Sequence, residues 1–88
     1  MELKVGGVVR SIAGHDKNIF HVIVRVEQDI VFLADGKARK LEKPKRKNAK
    51  HVAATRTVLD MDILTTDKTL RAALWPFNYG TGPSPGAD

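Results

Sequence analysis

The most distinctive chemical feature of the sequence is a cluster of cations between residues 37 and 50. This segment holds eight of the chain's fifteen Lys and Arg residues and one acidic residue, Glu42, so its net charge is +7. Ammonium and guanidinium groups concentrated in this way attract phosphate groups and anionic surfaces. The candidate phosphate-binding residues are Lys37, Arg39, Lys40, Lys43, Lys45, Arg46, Lys47 and Lys50.

The rest of the chain does not share this charge. Residues 1–36 and residues 51–88 each sum to −1, although the whole chain carries +5. Leu41 gives the basic segment an apolar anchor, so a folded surface is favoured over a tether; a solvated surface with no partner stays an alternative. Arg39 and Arg46 are the best candidates for bidentate contacts with phosphate. We expect no membrane partner, because no amphipathic helix or lipidation signal accompanies the cluster.

A second polar cluster is the stretch GHDKN at residues 14–18. If the chain folds as a barrel and this loop lies at its rim, His15 and Lys17 could contact an RNA backbone. The alternative is that the stretch is only a tight turn, in which Asp16 bonds to its own backbone. The two interpretations do not exclude each other.

The sequence argues against catalysis and against a metal site. It contains no Cys, and its three histidines, His15, His21 and His51, are not spaced as metal ligands, so we expect them at the surface or rim. Asp60 and Asp62 are the nearest approach to a carboxylate pair, and we expect them to follow the last strand. A barrel this small is filled by its own side chains. We therefore predict no catalytic residue, no metal, no cofactor and no small-molecule substrate.

The elements that must position these residues are mostly β-strands. Hydrophobic alternation predicts strands over residues 3–12, 19–28, 30–35 and 51–59, with a bulge or bend at Gly6-Gly7 in the first. Pro44 restricts residues 37–50 to an edge strand and a rim loop. Short strands in a chain of 88 residues predict a small barrel. The SH3-like type is favoured over the OB type, because the strands end before a helix begins.

The pattern changes after residue 59. Thr66 is a suitable N-cap and Asp67 a suitable first-turn residue for a short helix, which Pro76 is predicted to stop. The predicted organisation is a barrel at residues 1–59, a linker and helix at 60–75, and a disordered tail at 76–88.

Three aromatic residues near this end have two possible roles. Trp75, Phe77 and Tyr79 could stack on unpaired bases. For Trp75 we favour the other role, in which it folds back with Leu70 and Leu74 to cap the open end of the barrel. Tyr79 stays open between the two.

Residues 3–36 resemble a KOW module. In that family a V-x-x-G-type strand enters a loop of the form G-x-D-K/R-G, and an alternating Val/Ile strand follows. Here Gly14, Asp16 and Lys17 match the loop, and residues 22–26 match the alternating run. The usual last glycine of the loop is Asn18 in this chain, and Asn is the best substitute for Gly in the left-handed conformation.

The resemblance extends to residue 59. Residues 1–59 are similar to small bacterial KOW-domain RNA-binding proteins, which are themselves similar to large-subunit ribosomal proteins of archaea and eukaryotes. The shared features after the hairpin are a DG-x-x-R/K-K element, a Lys-rich stretch with a proline, and a short strand beginning Lys50-His51. The resemblance implies an SH3-like barrel that binds RNA, ribosomal RNA in particular. The aromatic end of this chain departs from the polar, charged helix that we expect of the relatives.

Two other functions stay open as alternatives to RNA binding. SH3-like barrels also dock proteins of the transcription and translation machinery, and that function would depend on the apolar tail more than on the lysines. A sequence-tolerant DNA-binding protein is a third possibility. The chain has no apolar run of about 20 residues, no signal peptide and no Cys, so we expect a cytoplasmic protein. We also expect it to be a monomer.

Overall fold

The computed structural model describes residues 2–80. Within them the chain forms a five-stranded antiparallel sheet and then one α-helix, so the predicted mainly-β class with a C-terminal helix is confirmed. The strands are β1 (Gly7–Ser11), β2 (Phe20–Glu27), β3 (Ile30–Ala34), β4 (Lys45–Asn48) and β5 (Val52–Val58), and helix α1 spans Asp67–Tyr79. No helix within this range is long and apolar enough to cross a membrane. Residues 81–88 of the predicted tail lie outside the described residues.

The sheet is strongly curved, because three residues join its two edges. The strand order is β4-β3-β2-β1-β5, which places β4 and β5 at opposite edges. In a flat sheet, four strand spacings of about 4.8 Å would separate these edges by about 19 Å. The only connection is the 3₁₀ turn Ala49–His51, and four peptide steps span at most about 14 Å. The edges therefore approach each other, which is consistent with a small barrel-like fold.

Both faces of the sheet are buried, and this explains the apolar residues at both parities of β2. Successive side chains of a strand point to opposite faces. One face packs under helix α1, where Val8, Val22 and Ala34 of the sheet form a buried cluster with Leu70 and Leu74 of the helix. The buried residues of the other face are Val9, Ile23, Val31, Leu33 and Val52.

Strand β1 begins later than predicted. Gly6 has φ +91°, and a Cβ atom at this position would overlap the carbonyl oxygen of Leu59. The chain therefore turns before the strand, and only residues from Gly7 onward pair with β5. The register of that pairing shifts between Gly7 and Val9. The predicted irregularity at Gly6-Gly7 is confirmed, whereas the predicted strand over residues 3–6 is wrong.

Helix α1 begins as predicted and ends later than predicted. Thr66 accepts a hydrogen bond from the backbone N–H of Thr69 at 3.2 Å, and the two residues form a capping box. Pro76 does not stop the helix, which continues to Tyr79. Proline removes one backbone donor, but the turn that follows it is held by tertiary contacts. The predicted helix end at residue 75 is therefore wrong.

The residues after Pro76 dock on the start of β2. The backbone N–H of Phe20 donates to Oδ1 of Asn78 at 2.7 Å, and Nδ2 of Asn78 donates to the carbonyl of Phe20 at 3.2 Å. The Phe77 ring lies 5.5 Å from the Phe20 ring and packs on the core under the helix. Phe77, rather than Trp75, thus covers this cluster. The Trp75 ring instead packs at a tilt against the Tyr79 ring, with 4.3 Å between the ring centroids.

Candidate nucleic-acid interface

Buried Asp35 organises the basic loop, which we define as residues 37–43. Its Oδ1 accepts hydrogen bonds from the backbone N–H groups of Lys37 at 2.8 Å and Arg39 at 2.9 Å. In return, the carbonyl of Arg39 accepts from the N–H groups of Asp35 and Gly36. Asp35 is only 8% exposed. The loop backbone is therefore a closed turn, and the side chains of Lys37, Arg39, Lys40 and Lys43 extend from it into solvent.

The basic loop is fixed against the first turns of helix α1. Gly36 has φ +80°, and a Cβ atom there would overlap the carbonyl oxygen of Asp67 and lie 2.9 Å from the backbone nitrogen of Arg71. Only glycine allows this conformation and this close approach together. The backbone N–H of Leu41 donates to Oδ1 of Asp67 at 2.7 Å, and its side chain packs on the core. Leu41 is thus the apolar anchor that the sequence predicts.

Strand β4 carries the second half of the basic segment along the edge of the sheet, as predicted. Its residues pair with β3 in the register Leu33↔Lys45, Phe32↔Arg46 and Val31↔Lys47. Alternation along the strand gives neighbouring cations opposite environments. Arg46 is exposed, whereas Lys45 is half-buried and Lys47 is buried.

The structure corrects the prediction that Lys47 binds phosphate. Its side chain is 7% exposed, and its Nζ lies 2.6 Å from Oδ1 of Asp16 and 2.8 Å from the carbonyl oxygen of Ala13. Nζ of Lys45 donates to Oδ2 of the same carboxylate at 3.2 Å. Lys47 is therefore an internal cation that ties β4 to the loop at residues 14–18, and Lys45 shares that role.

Asp16 is the acceptor at the centre of this network. Partial burial raises its pKa, but the hydrogen bonds and positive charges of Lys47 and Lys45 outweigh burial and lower the pKa to about 2. The carboxylate is consequently ionised at neutral pH. Its backbone carbonyl also accepts from Ile19 at 3.0 Å and closes a turn, but its side chain bonds to the two lysines and not, as the turn interpretation expected, to its own backbone.

Asn18 takes the left-handed backbone conformation, which Asn tolerates better than other non-glycine residues. Its φ is +71°, and its backbone N–H donates to the carbonyl of Ser11 at 2.7 Å. Its side-chain oxygen accepts from Arg10 at 2.9 Å. The loop is thus fixed at both ends, and His15 and Lys17 are exposed on it.

A cleft of about 530 Å³ lies between this loop, the basic loop and the later turns of helix α1. It brings together five predicted site residues, His15, Asp16, Lys37, Arg39 and Lys45. It adds residues that were not predicted, namely Ile19, His21, Asp35, Ala38, Arg71, Asn78 and Tyr79.

The other predicted cations lie outside the cleft. They are Lys17, Lys40, Lys43, Arg46 and Lys50, and each is exposed. Apart from buried Lys47, the cations of the basic segment therefore form two groups. Lys37, Arg39 and Lys45 line the cleft, whereas the outward-facing cations Lys40, Lys43, Arg46 and Lys50 lie outside it.

His21 is buried at the floor of the cleft, not at the surface as expected. It is 1% exposed, its Nδ1 lies 3.5 Å from Oγ of Ser11, and its Nε2 lies 3.9 Å from Oδ2 of Asp35. Burial lowers the pKa of His21 and outweighs the opposing charge of Asp35. The imidazole is therefore neutral at pH 7.

Sequence reasoning missed Arg71 and left the role of Tyr79 open, although a signal that places them together exists. Arg71, Trp75 and Tyr79 are spaced i, i+4, i+8 and so share one face of a helix. The signal was hidden by the assumption that Pro76 ends the helix. In the structure, Nζ of Lys37 donates to the Tyr79 hydroxyl at 3.1 Å, which joins the basic loop to the last helical turn.

The described residues contain no group of three or more His, Asp or Glu side chains that could hold a metal ion. In comparisons with known proteins, the chain matches no family model and no curated protein is significantly similar to it.

Proposed function

We propose that this protein binds structured RNA, ribosomal RNA in particular, without catalysing a reaction, and that its barrel is an SH3-like KOW module. The observation that carries the proposal is a net charge of +7 within residues 37–50, held on a backbone that the fold fixes. Phosphate groups spaced along an RNA helix are the chemical match for such a surface.

The exposed cations of residues 37–50 supply the binding surface. They are Lys37, Arg39, Lys40, Lys43, Arg46 and Lys50, all exposed. The backbone that carries the first four is fixed by Asp35 and by the contacts of Gly36 and Leu41 with helix α1. Such pre-organisation reduces the conformational entropy lost on binding. The surface has few aromatic residues, so backbone charge and RNA shape would dominate over base readout.

Two features of the fold support the SH3-like KOW assignment. The sheet order β4-β3-β2-β1-β5, with a single 3₁₀ turn between the two edge strands, is consistent with a small five-stranded barrel. In addition, Asn18 adopts the left-handed conformation at the position where the KOW loop usually has glycine.

A salt series tests the proposal. The affinity for a ribosomal RNA fragment should fall with salt, and four to six phosphate contacts give a slope of log K against log salt of about −3 to −5. Replacing Arg39, Lys40, Lys43 and Arg46 together by Gln should weaken binding by about 100-fold or more and reduce the slope by about 3.

A matched variant removes charge elsewhere on the surface. Lys4, Arg56 and Lys68 are exposed cations outside the basic segment, and replacing them by Gln should change the slope far less. A flat salt dependence, or equal losses in the two variants, would refute the proposal. Equal affinity for duplex DNA in competition would favour a sequence-tolerant DNA-binding protein instead.

One observation favours the second candidate function, a protein-interaction module. Val5, Val58 and Ile63 are apolar and yet 50%, 51% and 69% exposed. A protein complex formed there would survive about 0.5 M salt, in which exposed charges are screened. It would be weakened by Val58→Lys but not by the Gln substitutions in the basic segment, whereas RNA binding predicts the reverse.

A further inference from the structure

We propose that the cleft between the loop at residues 14–18, the basic loop and helix α1 holds one unpaired nucleotide of the bound RNA. This inference rests on the proposed function and specifies how the RNA is engaged. Cations on the cleft wall would bind the phosphate of the nucleotide, and the apolar part of the wall would contact its base.

The size of the cleft fits such a ligand. Its volume is about 530 Å³, within the range of about 300–1,000 Å³ that is usual for small-ligand sites. A duplex cannot enter a space of this size, because an RNA helix is much wider. A single nucleotide turned out of a bulge, loop or strand end can enter, which is how proteins usually reach unpaired bases.

Four cations line the cleft, and one of them has a buried nitrogen with no hydrogen-bond partner within the described part of the chain. They are Lys37, Arg39, Lys45 and Arg71. The guanidinium of Arg71 forms no ion pair with an acidic residue among residues 2–80, and its buried Nε has no hydrogen-bond partner there. A partly buried guanidinium without an acceptor is costly, and a phosphate bound in the cleft would supply the missing negative charge.

The apolar part of the wall is formed by Ile19, Ala38 and Tyr79. Ile19 is 39% exposed and Tyr79 is 51% exposed, so both present surface to a ligand. Tyr79 is held in place from two sides, by Trp75 at 4.3 Å between ring centroids and by Nζ of Lys37 at its hydroxyl. A rigid aromatic and aliphatic wall favours the flat face of a base over a free phosphate ion.

The floor offers an acceptor for the edge of a base. Oδ1 of Asp35 is occupied by the backbone N–H groups of Lys37 and Arg39. Oδ2 faces the ring of neutral His21 at 3.9 Å, a distance too long for a hydrogen bond. A ring N–H or amino group of a base that reaches the floor would find Oδ2 as its acceptor.

Titration of the full-length, ¹⁵N-labelled chain with CMP, GMP, ribose 5-phosphate and inorganic phosphate tests the ligand chemistry. We expect the nucleotides to shift the amide signals of Ile19, Ala38 and Tyr79 and to bind about tenfold more tightly than ribose 5-phosphate. Equal binding of inorganic phosphate, or shifts confined to the outward-facing cations, would overturn the proposal.

Variants locate the site. Arg71→Met should weaken nucleotide binding by about tenfold or more, because it removes the unpartnered charge and keeps the aliphatic stem. Lys68→Met is the matched control, since Lys68 is an exposed cation of the same helix that does not line the cleft. Ile19→Glu gives a second test that does not depend on how Arg71 packs, and it should also weaken binding. Equal effects of Arg71→Met and Lys68→Met would refute the assignment.

An RNA hairpin with and without a single bulged nucleotide separates this inference from the proposed function. The wild-type chain should prefer the bulged RNA, and Arg71→Met should lose that preference while Lys68→Met keeps it. If both hairpins bind equally and no nucleotide shifts the cleft residues, the cleft proposal fails and RNA binding stands. If neither hairpin binds, the proposed function fails whatever the nucleotide titration shows.

Discussion

Lys47 places its Nζ 2.6 Å from Oδ1 of Asp16, so a cation of the basic segment is neutralised inside the protein. The pair joins the edge strand β4 to the loop at residues 14–18, and its two members lie 31 positions apart in the chain. Lys45 reaches the other carboxylate oxygen, and the carbonyl of Ala13 accepts a further bond from Lys47. The basic segment therefore has two roles. Lys45 and Lys47 stabilise the fold, whereas the other cations of the segment are exposed.

Lys47→Met is expected to destabilise the protein by about 2–3 kcal/mol. It leaves a partly buried carboxylate with one cation where it had two, and it leaves the carbonyl of Ala13 without this donor. Urea unfolding at pH 7 measures the change. Arg46→Met is the matched control, because Arg46 is the exposed neighbour on the same strand, and it should change the free energy of unfolding by less than about 0.5 kcal/mol. Equal losses in the two variants would contradict a structural role for Lys47.

Asp16 should make the protein less stable in acid. Its pKa is lowered to about 2 in the folded state, whereas an unfolded Asp has a pKa of about 3.9. As the pH falls below about 4, the unfolded chain takes up a proton before the folded chain does. The stabilisation is therefore complete above the unfolded pKa, and about 2 kcal/mol of it is lost between pH 5 and pH 2.

Unfolding curves of Asp16→Asn across the same pH range test this assignment. The variant should be less stable at pH 7 and should lack this part of the acid dependence. Asp29→Asn removes an exposed carboxylate and should keep the wild-type profile. A profile of Asp16→Asn that runs parallel to the wild type down to pH 2 would show that the acid sensitivity comes from other groups.

The features that follow from local sequence were predictable. The alternation of Val and Ile placed β2, Thr66 marked the start of the helix, and the tolerance of Asn18 for positive φ followed from its short polar side chain. Lys45 and Lys47 are two positions apart, which predicts that their side chains lie on the same side of a strand. What the sequence could not show was that Asp16 lies on that side to receive them.

The features that depend on distant contacts were not predictable. Pro76 is a local signal to end a helix, but the hydrogen bonds between Asn78 and Phe20 join residues 58 positions apart and hold the last turn. The same turn brings Tyr79 to the basic loop. The cleft is therefore a property of the tertiary fold, since its walls come from three separate parts of the chain.

Gly36→Ala should destabilise the protein by about 3 kcal/mol or more. The substitution adds the strain of a positive φ to a collision with the carbonyl oxygen of Asp67, which would push the basic loop away from helix α1. Gly80→Ala provides a control for the first effect alone, because Gly80 has the same φ of +80° and nothing within 4 Å of its Cβ position. It should cost about 2 kcal/mol, because a φ of +80° with a ψ of −153° is a conformation that essentially only glycine adopts. Thermal or urea unfolding gives both values, and similar losses would show that the contact with the helix is unimportant.

His21 should make stability depend on pH near neutrality. Burial lowers its pKa below the ordinary value of 6.5, so the folded state resists protonation. When the pH falls from 7.5 to 5.5, the unfolded chain takes up more of a proton at this residue than the folded chain does. The free energy of unfolding should therefore decrease with a slope of at most about 1.4 kcal/mol per pH unit from this group.

The charge of Asp35 opposes the shift, and Asp35→Asn should steepen the decrease, because it removes the group that favours the imidazolium. His21→Gln should flatten this part of the profile, whereas His15→Gln, which removes an exposed imidazole, should not. A wild-type slope retained in His21→Gln would place the neutral-pH sensitivity elsewhere.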